Sequence, residues 1–325
     1  MPPWIYEEGI GENRAALVEH RVIVEAALEL PEAIGPGAVV EARLIAVQRP
    51  GRRGLVSLEG GEEALLEPIP PGVTEGATLR VEVVREPLPE AGRFKRAKVT
   101  PSAAPLRPAA SLVERLGSWA PSPTGRIDML EEAGWSELIE TAATGEIPFP
   151  GGNLRMSLTP AMTLFDVDGV LETAALAVAG AEAAGRAIRR FGIGGSIGID
   201  LPTLSARADR LAAAAALDAV VPQPFERTAV NGFGFLQVVR RRDRRSIPEI
   251  VQADPVGAAA RALLRRAERA GAGPLMLVGA PTVVARLERE TGWIEALARK
   301  AGGSVGLQAD QGQPIFAGYV HHRQS

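Results

Sequence analysis

The chain has 325 residues, of which 46% are hydrophobic and 23% charged, an ordinary globular composition with enough length for two or three domains. The formal net charge is −3, so binding to nucleic acid requires local basic patches rather than a positive field over the whole molecule. Cysteine is absent, which excludes disulfides, thiol catalysis and thiolate zinc sites and favours a reducing, cytoplasmic location.

The first third of the chain predicts short β-strands. Its opening residues lack the basic and apolar regions of a signal peptide, and no apolar run reaches membrane-spanning length, so we expect no membrane partner. Residues 14–30 predict a β-hairpin that turns near Glu19 and His20. Five further strands, separated by Gly and Pro turns, predict a small barrel over residues 36–100 and fit an OB-fold: Val39–Val47, Gly54–Glu59, Ala64–Glu67, Thr78–Arg85 and Lys95–Thr100.

A basic run near the end of this segment is a candidate RNA contact. It contains Phe94, Lys95, Arg96 and Lys98, and OB-folds often bind single-stranded nucleic acid with a basic groove and stacking aromatics. Phe94 is the only aromatic residue of the segment. A structural barrel with a solvated basic edge is therefore an equally good interpretation.

The centre of the chain contains two apolar runs that each end in an aspartate. A Pro-rich linker at 101–125, a helix over Ile127–Ala143 and a strand at Asn153–Leu158 precede them. The runs end at Asp166 and Asp200 and flank an alanine-rich helix. A strand–helix–strand unit makes its two strands parallel neighbours, so both carboxylates should meet at the carboxyl ends of the strands, where α/β sheets place their ligands.

Two neighbouring carboxylates predict a magnesium site, because Mg²⁺ takes one or two carboxylates, keeps several waters and binds phosphates. Asp168 lies close enough in sequence to join them. The alternative is that Asp166 and Asp168 form a turn and Asp200 caps a helix at 201–205.

Five arginines lie within residues 240–245, after a strand in 230–239. Such a run usually indicates a solvated face, but beside a metal site the arginines would clamp phosphate.

Two family resemblances follow from these motifs. The segment from Phe165 to Ala174 resembles the first motif of haloacid-dehalogenase-type phosphatases, but that family needs a downstream lysine, and Lys300 is the only lysine after Asp168. Nearly the whole chain resembles the ribonuclease E/G family. The matching segments, in order, are Arg14–Glu25, Met129–Glu140 with Gly145–Gly152, Thr159–Asp166, Ile193–Asp200 and Phe233–Arg242.

The second resemblance implies an α/β fold with an RNase H-like and DNase I-like catalytic region, an inserted OB-fold barrel and a small C-terminal α/β domain. The implied boundaries are an N-terminal hairpin at 1–35, the barrel at 36–100, a linker with the RNase H-like remainder at 101–157, the DNase I-like domain at 158–250 and the C-terminal domain at 251–325. It implies Mg²⁺-dependent hydrolysis of single-stranded RNA such as precursor rRNA or mRNA.

The resemblance also implies roles for individual residues. Asp166 and Asp200 would hold Mg²⁺, with Asp168 as a third ligand or outer-shell acid. Arg240 and Arg242 would bind the RNA backbone, and the candidate barrel contacts are Phe94, Lys95, Arg96 and Lys98. A non-catalytic RNA-binding member of the family is the alternative function, and the phosphatase is the third.

The chain departs from the family pattern at several places. Asp168 replaces an amide residue, and Thr203 stands where a further Asp is common. The linker at 101–125 is too short for the family's 5′-monophosphate sensor. The cysteines that bridge family subunits through zinc are absent, so any oligomer must use another surface.

Overall fold

The computed structural model describes residues 3–31, 33–90, 93–122 and 128–323, except for the side chains of Glu90, Arg93 and Phe94. This part of the chain is a mixed α/β structure with several sheets, one of which closes into a five-stranded barrel. None of its helices is both long enough and apolar enough to cross a lipid bilayer.

The elements follow the chain in four groups. The first group is β1 (Trp4–Glu8), β2 (Asn13–Glu19) and β3 (Val22–Glu29). The second is β4 (Val39–Arg49), β5 (Arg53–Leu58), β6 (Glu63–Leu66), β7 (Thr78–Arg85), β8 (Leu88–Glu90), β9 (Arg93–Lys95) and β10 (Ala97–Pro101). The third is α1 (Leu112–Arg115), β11 (Trp119–Pro121), α2 (Met129–Glu132), α3 (Trp135–Thr144), β12 (Glu146–Phe149), β13 (Gly152–Leu158), β14 (Thr163–Gly169), α4 (Thr173–Arg190), β15 (Gly195–Asp200), α5 (Arg207–Val220), β16 (Glu226–Arg227) and β17 (Phe235–Arg240). The fourth is α6 (Ile247–Ala253), α7 (Pro255–Arg269), β18 (Leu275–Gly279), α8 (Pro281–Arg289), α9 (Thr291–Ala301), β19 (Val305–Ala309) and β20 (Tyr319–His322).

The N-terminal strands and the barrel confirm two predictions. β2 and β3 pair as an antiparallel hairpin, and His20 and Arg21 turn it with φ values of 51° and 63°. The barrel order is β10-β6-β5-β4-β7, so the five predicted strands all take part. Alternating apolar side chains fill its core, among them Leu44, Leu66 and Val81, each fully buried.

The central sheet has six strands in the order β12-β13-β14-β15-β17-β16. Only β14 and β15 are parallel, and α4 connects them as the sequence predicts. The sheet begins at Glu146, ahead of the boundary predicted at 158, because β12 and β13 form a hairpin that pairs with β14. The sheet therefore includes residues that the sequence assigned to the preceding domain.

Strand alternation gives this sheet two different faces. Leu154, Phe165, Ile199 and Val238 point into the main core, where α4 covers them with small residues. At Gly180 of α4, a Cβ atom would lie 2.5 Å from Val167 Cγ1, so glycine is what allows the helix to pack this closely. The opposite face carries mainly polar side chains and is exposed at most positions; we call it the open face.

The C-terminal unit packs α7, α8 and α9 against a three-stranded sheet in the order β19-β18-β20. Buried ion pairs join α7 to the N-terminal sheet. Arg14 is fully buried and donates to Glu7 and Glu12, Arg261 donates to Glu12, and Arg265 donates to Glu7. Because an unpaired buried charge costs several kcal/mol, roughly 3–5 by mutation, these pairs fix how the two parts dock.

Candidate active site

Asp166 and Asp200 lie side by side on the open face. They are direct register partners in β14 and β15, and neighbouring strands are roughly 4.8 Å apart. Both side chains are exposed, and within the described part of the chain neither carboxylate accepts a hydrogen bond or forms an ion pair. The predicted meeting of the two acids is confirmed, and residues 201–205 form no helix for Asp200 to cap.

Asp168 points to the same face as Asp166 because the two residues are separated by one position in a strand. Its register partner is Asn153, so it lies one row further along the strand than the pair. Across the described residues, no three His, Cys, Asp or Glu side chains converge as a metal site. A cation here would therefore have two carboxylate ligands and complete its coordination with water, which suits Mg²⁺.

A single row of side chains crosses the open face at the level of the two acids. Successive register partners in this row are Glu146, Arg155, Asp166, Asp200 and Phe235. Directly facing side chains on neighbouring strands have Cβ atoms about 5 Å apart. In this row Arg155 is the neighbour of the acid pair on one side, and Phe235 is its neighbour on the other side.

Arg155 is held in this row by Glu146. Its Nε donates to Glu146 Oε1 at 3.2 Å, and Asn153 Nδ2 donates to Glu146 Oε2 at 2.5 Å. The hydrogen bond from Asn153, followed by that from Arg155, lowers the pKa of Glu146 below its ordinary value, so this carboxyl stays ionised. The Arg155 side chain is 67% exposed, so it can contact a bound phosphate.

The loop after β15 packs against the turn before β17. Leu201 N donates to Gly234 O at 3.3 Å, and Thr203 Oγ1 donates to Phe233 O at 3.5 Å. Thr203 therefore contacts a neighbouring loop rather than adding a ligand to the pair. The close packing requires glycine at 234, which has a φ of +91° and where a Cβ would lie 2.2 Å from Leu201 O.

The arginine run does not flank the acid pair, which corrects the predicted phosphate clamp. β17 runs antiparallel to β15, and Arg240 pairs with Gly195 at the far end, roughly 16 Å along the strand from Asp200. Arg240 Nη1 donates to Ile193 O at 2.9 Å, and Arg242 pairs with the buried Glu249. Burial also lowers the pKa of Arg240.

The rest of the run joins the barrel to the central sheet. Arg245 Nε lies 3.5 Å from Glu86 Oε1, and the Arg245 backbone N–H donates to the same carboxylate. Glu86 N in turn donates to Asp243 O at 3.1 Å. Arg244 lines a cleft of about 740 Å³ between the N-terminal sheet and this segment, away from the aspartates. The run is thus largely a structural connection.

Two of the candidate basic residues of the barrel, Arg96 and Lys98, form ion pairs within the barrel. Arg96 Nε lies 2.8 Å from Glu63 Oε2, and Lys98 Nζ lies 2.7 Å from Glu67 Oε2. Lys95 is exposed, and the side chain of Phe94 lies outside the described residues. These ion pairs reduce the positive charge that Arg96 and Lys98 can offer to RNA.

Lys300, the lysine that a phosphatase would need, lies on α9 in the C-terminal unit. Its Nζ is 2.7 Å from Glu268 Oε1. It is therefore paired in the unit that packs against the N-terminal sheet, and not with the Asp166 carboxylate.

Two residues of the site were missed from the sequence: Arg155, the register partner of Asp166, and Phe233, in the turn before β17. Alternation in β13 puts Arg155 on the face opposite to Leu154 and Met156, and the short Pro-containing connection at 159–162 indicates a hairpin with β14. These signals together place Arg155 beside Asp166. The Asn-Gly pair at 231–232 similarly indicates the tight turn that carries Phe233.

No protein-family model matches the chain, and no curated protein matches it significantly in sequence.

Proposed function

We propose that this protein is a magnesium-dependent endoribonuclease of the ribonuclease E/G type that hydrolyses phosphodiester bonds in single-stranded RNA, such as precursor rRNA or mRNA. The observation that carries the proposal is the pairing of Asp166 with Asp200 on an exposed face, where no described residue donates to either carboxylate or forms an ion pair with it. Two exposed carboxylates at this spacing fit one hard divalent cation.

In this proposal Asp166 and Asp200 hold the ion and Asp168 acts from the next row as an outer-shell acid. Bound there, Mg²⁺ would polarise the scissile phosphate and assist attack by water. Arg155 would hold a non-bridging phosphate oxygen, because its guanidinium is exposed and its Nε end is fixed by Glu146. Arg240 and Arg242 have no part in this site, because they lie at the other end of the sheet.

The proposal extends to the fold. It assigns the central sheet to a DNase I-like region, the N-terminal sheet to an RNase H-like region and the barrel to an inserted OB-fold. The strand order β10-β6-β5-β4-β7, with β10 parallel to β6, supports the OB-fold assignment. The ion pairs of Arg96 and Lys98 make barrel contacts with RNA the weaker, salt-sensitive part of binding.

The second candidate is a non-catalytic RNA-binding member of the same family. The observation that favours it is Arg155, the register partner of Asp166, because a cation in that place can neutralise the carboxylate without a metal.

One experiment separates the two candidates. End-labelled unstructured RNA is incubated with the purified protein in Mg²⁺ or in EDTA, alongside Asp166→Asn and Asp200→Asn. Cleavage that requires Mg²⁺ and both aspartates supports the nuclease. Tight binding without cleavage, unchanged in both variants, supports the binding module. Cleavage that is the same in EDTA, or in the variants, contradicts the metal site.

A further inference from the structure

The two most exposed large apolar side chains of the described residues lie at the same end of the central sheet. Val170 is 92% exposed and follows β14, and Phe233 is 82% exposed and precedes β17. These two strands are the neighbours of β15 on either side. The apolar side chains therefore stand on the loops that flank the end of β15, where Asp200 lies.

Phe233 is presented to solvent by a hydrogen-bonded turn. Asn231 Oδ1 accepts hydrogen bonds from Phe233 N at 2.9 Å and from Phe235 N at 3.0 Å. Asn231 N donates to Phe235 O at 3.0 Å, and Gly234 N donates to Asn231 O at 3.2 Å. The backbone on both sides of the ring is thus fixed, which reduces the entropy lost when a ligand packs on it.

The turn is also tied to the acid pair. Phe235 is the register partner of Asp200, and Phe233 O accepts from Thr203, three residues after Asp200. Phe233 is therefore only two residues along the chain from the row that contains both aspartates. A nucleotide bound at the acid pair would have its neighbours within reach of the ring.

We propose that Phe233 stacks on an unpaired base next to the phosphate held at Asp166 and Asp200, and so selects single-stranded RNA. The inference rests on the proposed function. Every base has a π-face that an exposed ring can cover, whereas a base inside a duplex is already stacked. Arg155, in the same row as Asp166 and Asp200, carries a positive charge that complements a phosphate backbone. The ligand that packs on Phe233 is therefore better explained as nucleic acid than as an apolar protein segment.

The chain's distribution of aromatic residues supports this role. The barrel segment 36–100 contains a single aromatic residue, Phe94, so it offers little stacking surface for bases. Phe233 supplies an exposed ring on the turn that leads into the row of the acid pair. The contact that discriminates single strands would therefore be next to the cleaved bond rather than in the barrel.

The test measures binding without cleavage. The affinity of Asp166→Asn protein for unstructured RNA is measured in Mg²⁺, where Asp200 remains to bind the cation, alone and combined with Phe233→Ala, Phe233→Trp or, as the matched control, Val239→Ala, which removes another exposed apolar side chain of the open face. A set of oligonucleotides carries one abasic site, or one 2-aminopurine, at successive positions.

Stacking predicts that Phe233→Ala weakens binding between about 5-fold and about 150-fold, that Phe233→Trp restores it and that Val239→Ala leaves it unchanged. At one position of the oligonucleotide, an abasic site should make the RNA affinities of the proteins with Phe233 and with Phe233→Ala equal. At that same position, the fluorescence of 2-aminopurine should be quenched only by proteins with Phe or Trp at position 233. The proposal would be overturned if Phe233→Ala bound RNA as tightly as the protein with Phe233, or if the protein did not bind RNA. It would also be overturned if Phe233→Ala lowered the affinity by the same factor for every abasic oligonucleotide.

Two further outcomes are informative. If Phe233→Ala abolishes self-association in sedimentation velocity and leaves RNA affinity unchanged, the ring contacts a second copy of the chain and the proposal fails. If stacking is observed but protein with an intact Asp166 does not cleave RNA in Mg²⁺, the nuclease function fails and the base contact stands. The two failures are thereby distinguishable.

Discussion

Asp166 and Asp200 are register partners on two neighbouring parallel strands, although the whole of α4 separates them in the chain. Helix α4 carries the chain back to the end of the sheet where β14 begins, so β15 runs in the same direction as β14, and strand alternation turns both carboxylates to the open face. Loss of either carboxylate should remove half of the protein ligands of a bound cation.

Substitution of either aspartate should abolish cleavage without unfolding the protein. We expect Asp166→Asn and Asp200→Asn each to lower Mg²⁺-dependent cleavage of RNA at least about 100-fold, because a metal supplies several kcal/mol of transition-state stabilisation. Both side chains are exposed, so the free energy of unfolding should change by less than ~0.5 kcal/mol. Single-turnover cleavage and urea denaturation measure the two effects, and wild-type cleavage by either variant would refute that residue's role.

Arg155 and Arg240 should differ in their effect on RNA binding. Arg155→Ala removes a cation beside Asp166, so affinity should fall and the slope of log K against log salt should decrease by about 0.7, the value for one contact with a single strand. Arg240→Ala is the matched control, because that residue lies at the other end of the sheet. Fluorescence anisotropy over a salt series measures both, and equal slopes for the two variants would argue against Arg155.

The two glycines of the turn before β17 should not be equivalent. Gly234→Ala forces a Cβ to within 2.2 Å of Leu201 O at a φ of +91°, so it should displace the turn and destabilise the protein by more than ~1 kcal/mol. At Gly232 a Cβ would meet no atom of the described residues within 4 Å, so Gly232→Ala should be nearly neutral. Thermal unfolding and RNA cleavage of both variants check this, and comparable behaviour would mean that the turn does not support the site.

Arg242 should matter for stability. Its partner Glu249 has a side chain only 6% exposed, so Arg242→Ala leaves a buried carboxylate without its cation and should cost about 2 kcal/mol. Arg241→Ala is the control, since that side chain is 81% exposed and should change stability by less than ~0.5 kcal/mol. Cleavage per folded molecule should be unchanged in both, and a selective loss of cleavage in Arg242→Ala would restore it as an RNA contact.

The buried ion pairs predict acid sensitivity. Burial alone would raise the pKa of Glu7, but Arg14, Arg265 and Arg269 outweigh it and hold the pKa below the ordinary value of 4.5. As pH falls, the unfolded chain therefore binds the proton before the folded chain does, and protonation favours unfolding. The stability that Glu7 contributes should be complete above pH 4.5 and decline as pH falls from 4.5 through the lower folded-state pKa.

Urea unfolding, followed by tryptophan fluorescence over this pH range, measures the effect. Glu7→Gln should be less stable at neutral pH, because it leaves buried arginines short of a partner, and its stability should depend less on pH in the acid range. An identical acid dependence in wild type and Glu7→Gln would exclude Glu7 as the responsible group.

Local patterns in the sequence were sufficient for the central crossover and the barrel. Alternation and Gly or Pro turns located all five barrel strands, and an alanine-rich segment between two apolar runs located α4. They did not locate β19 or α6, which are short and acquire their stability from packing. The helix predicted to run continuously through residue 134 is broken there into α2 and α3, where Gly134 has a φ of +92°.

The position of the arginine run depends on the direction of β17, which its own sequence does not show. The charge density of 240–245 is typical of a solvated face and would form a phosphate clamp only beside the metal site, but the antiparallel direction of β17 carries these residues away from Asp200. The same pairing brings Phe235 and the turn with Phe233 towards Asp200. Strand direction is a property of the whole sheet, and the composition of a segment holds no information about it.

The sequence by itself determined the five barrel strands, the polar face of the central strands and that two aspartates lie on neighbouring parallel strands, because side-chain period and crossover connections are local properties. Tertiary structure alone decided the row Glu146, Arg155, Asp166, Asp200 and Phe235, since a row across a sheet depends on the register of four separate strand pairs. Register is set by packing of the buried face, which no single segment contains.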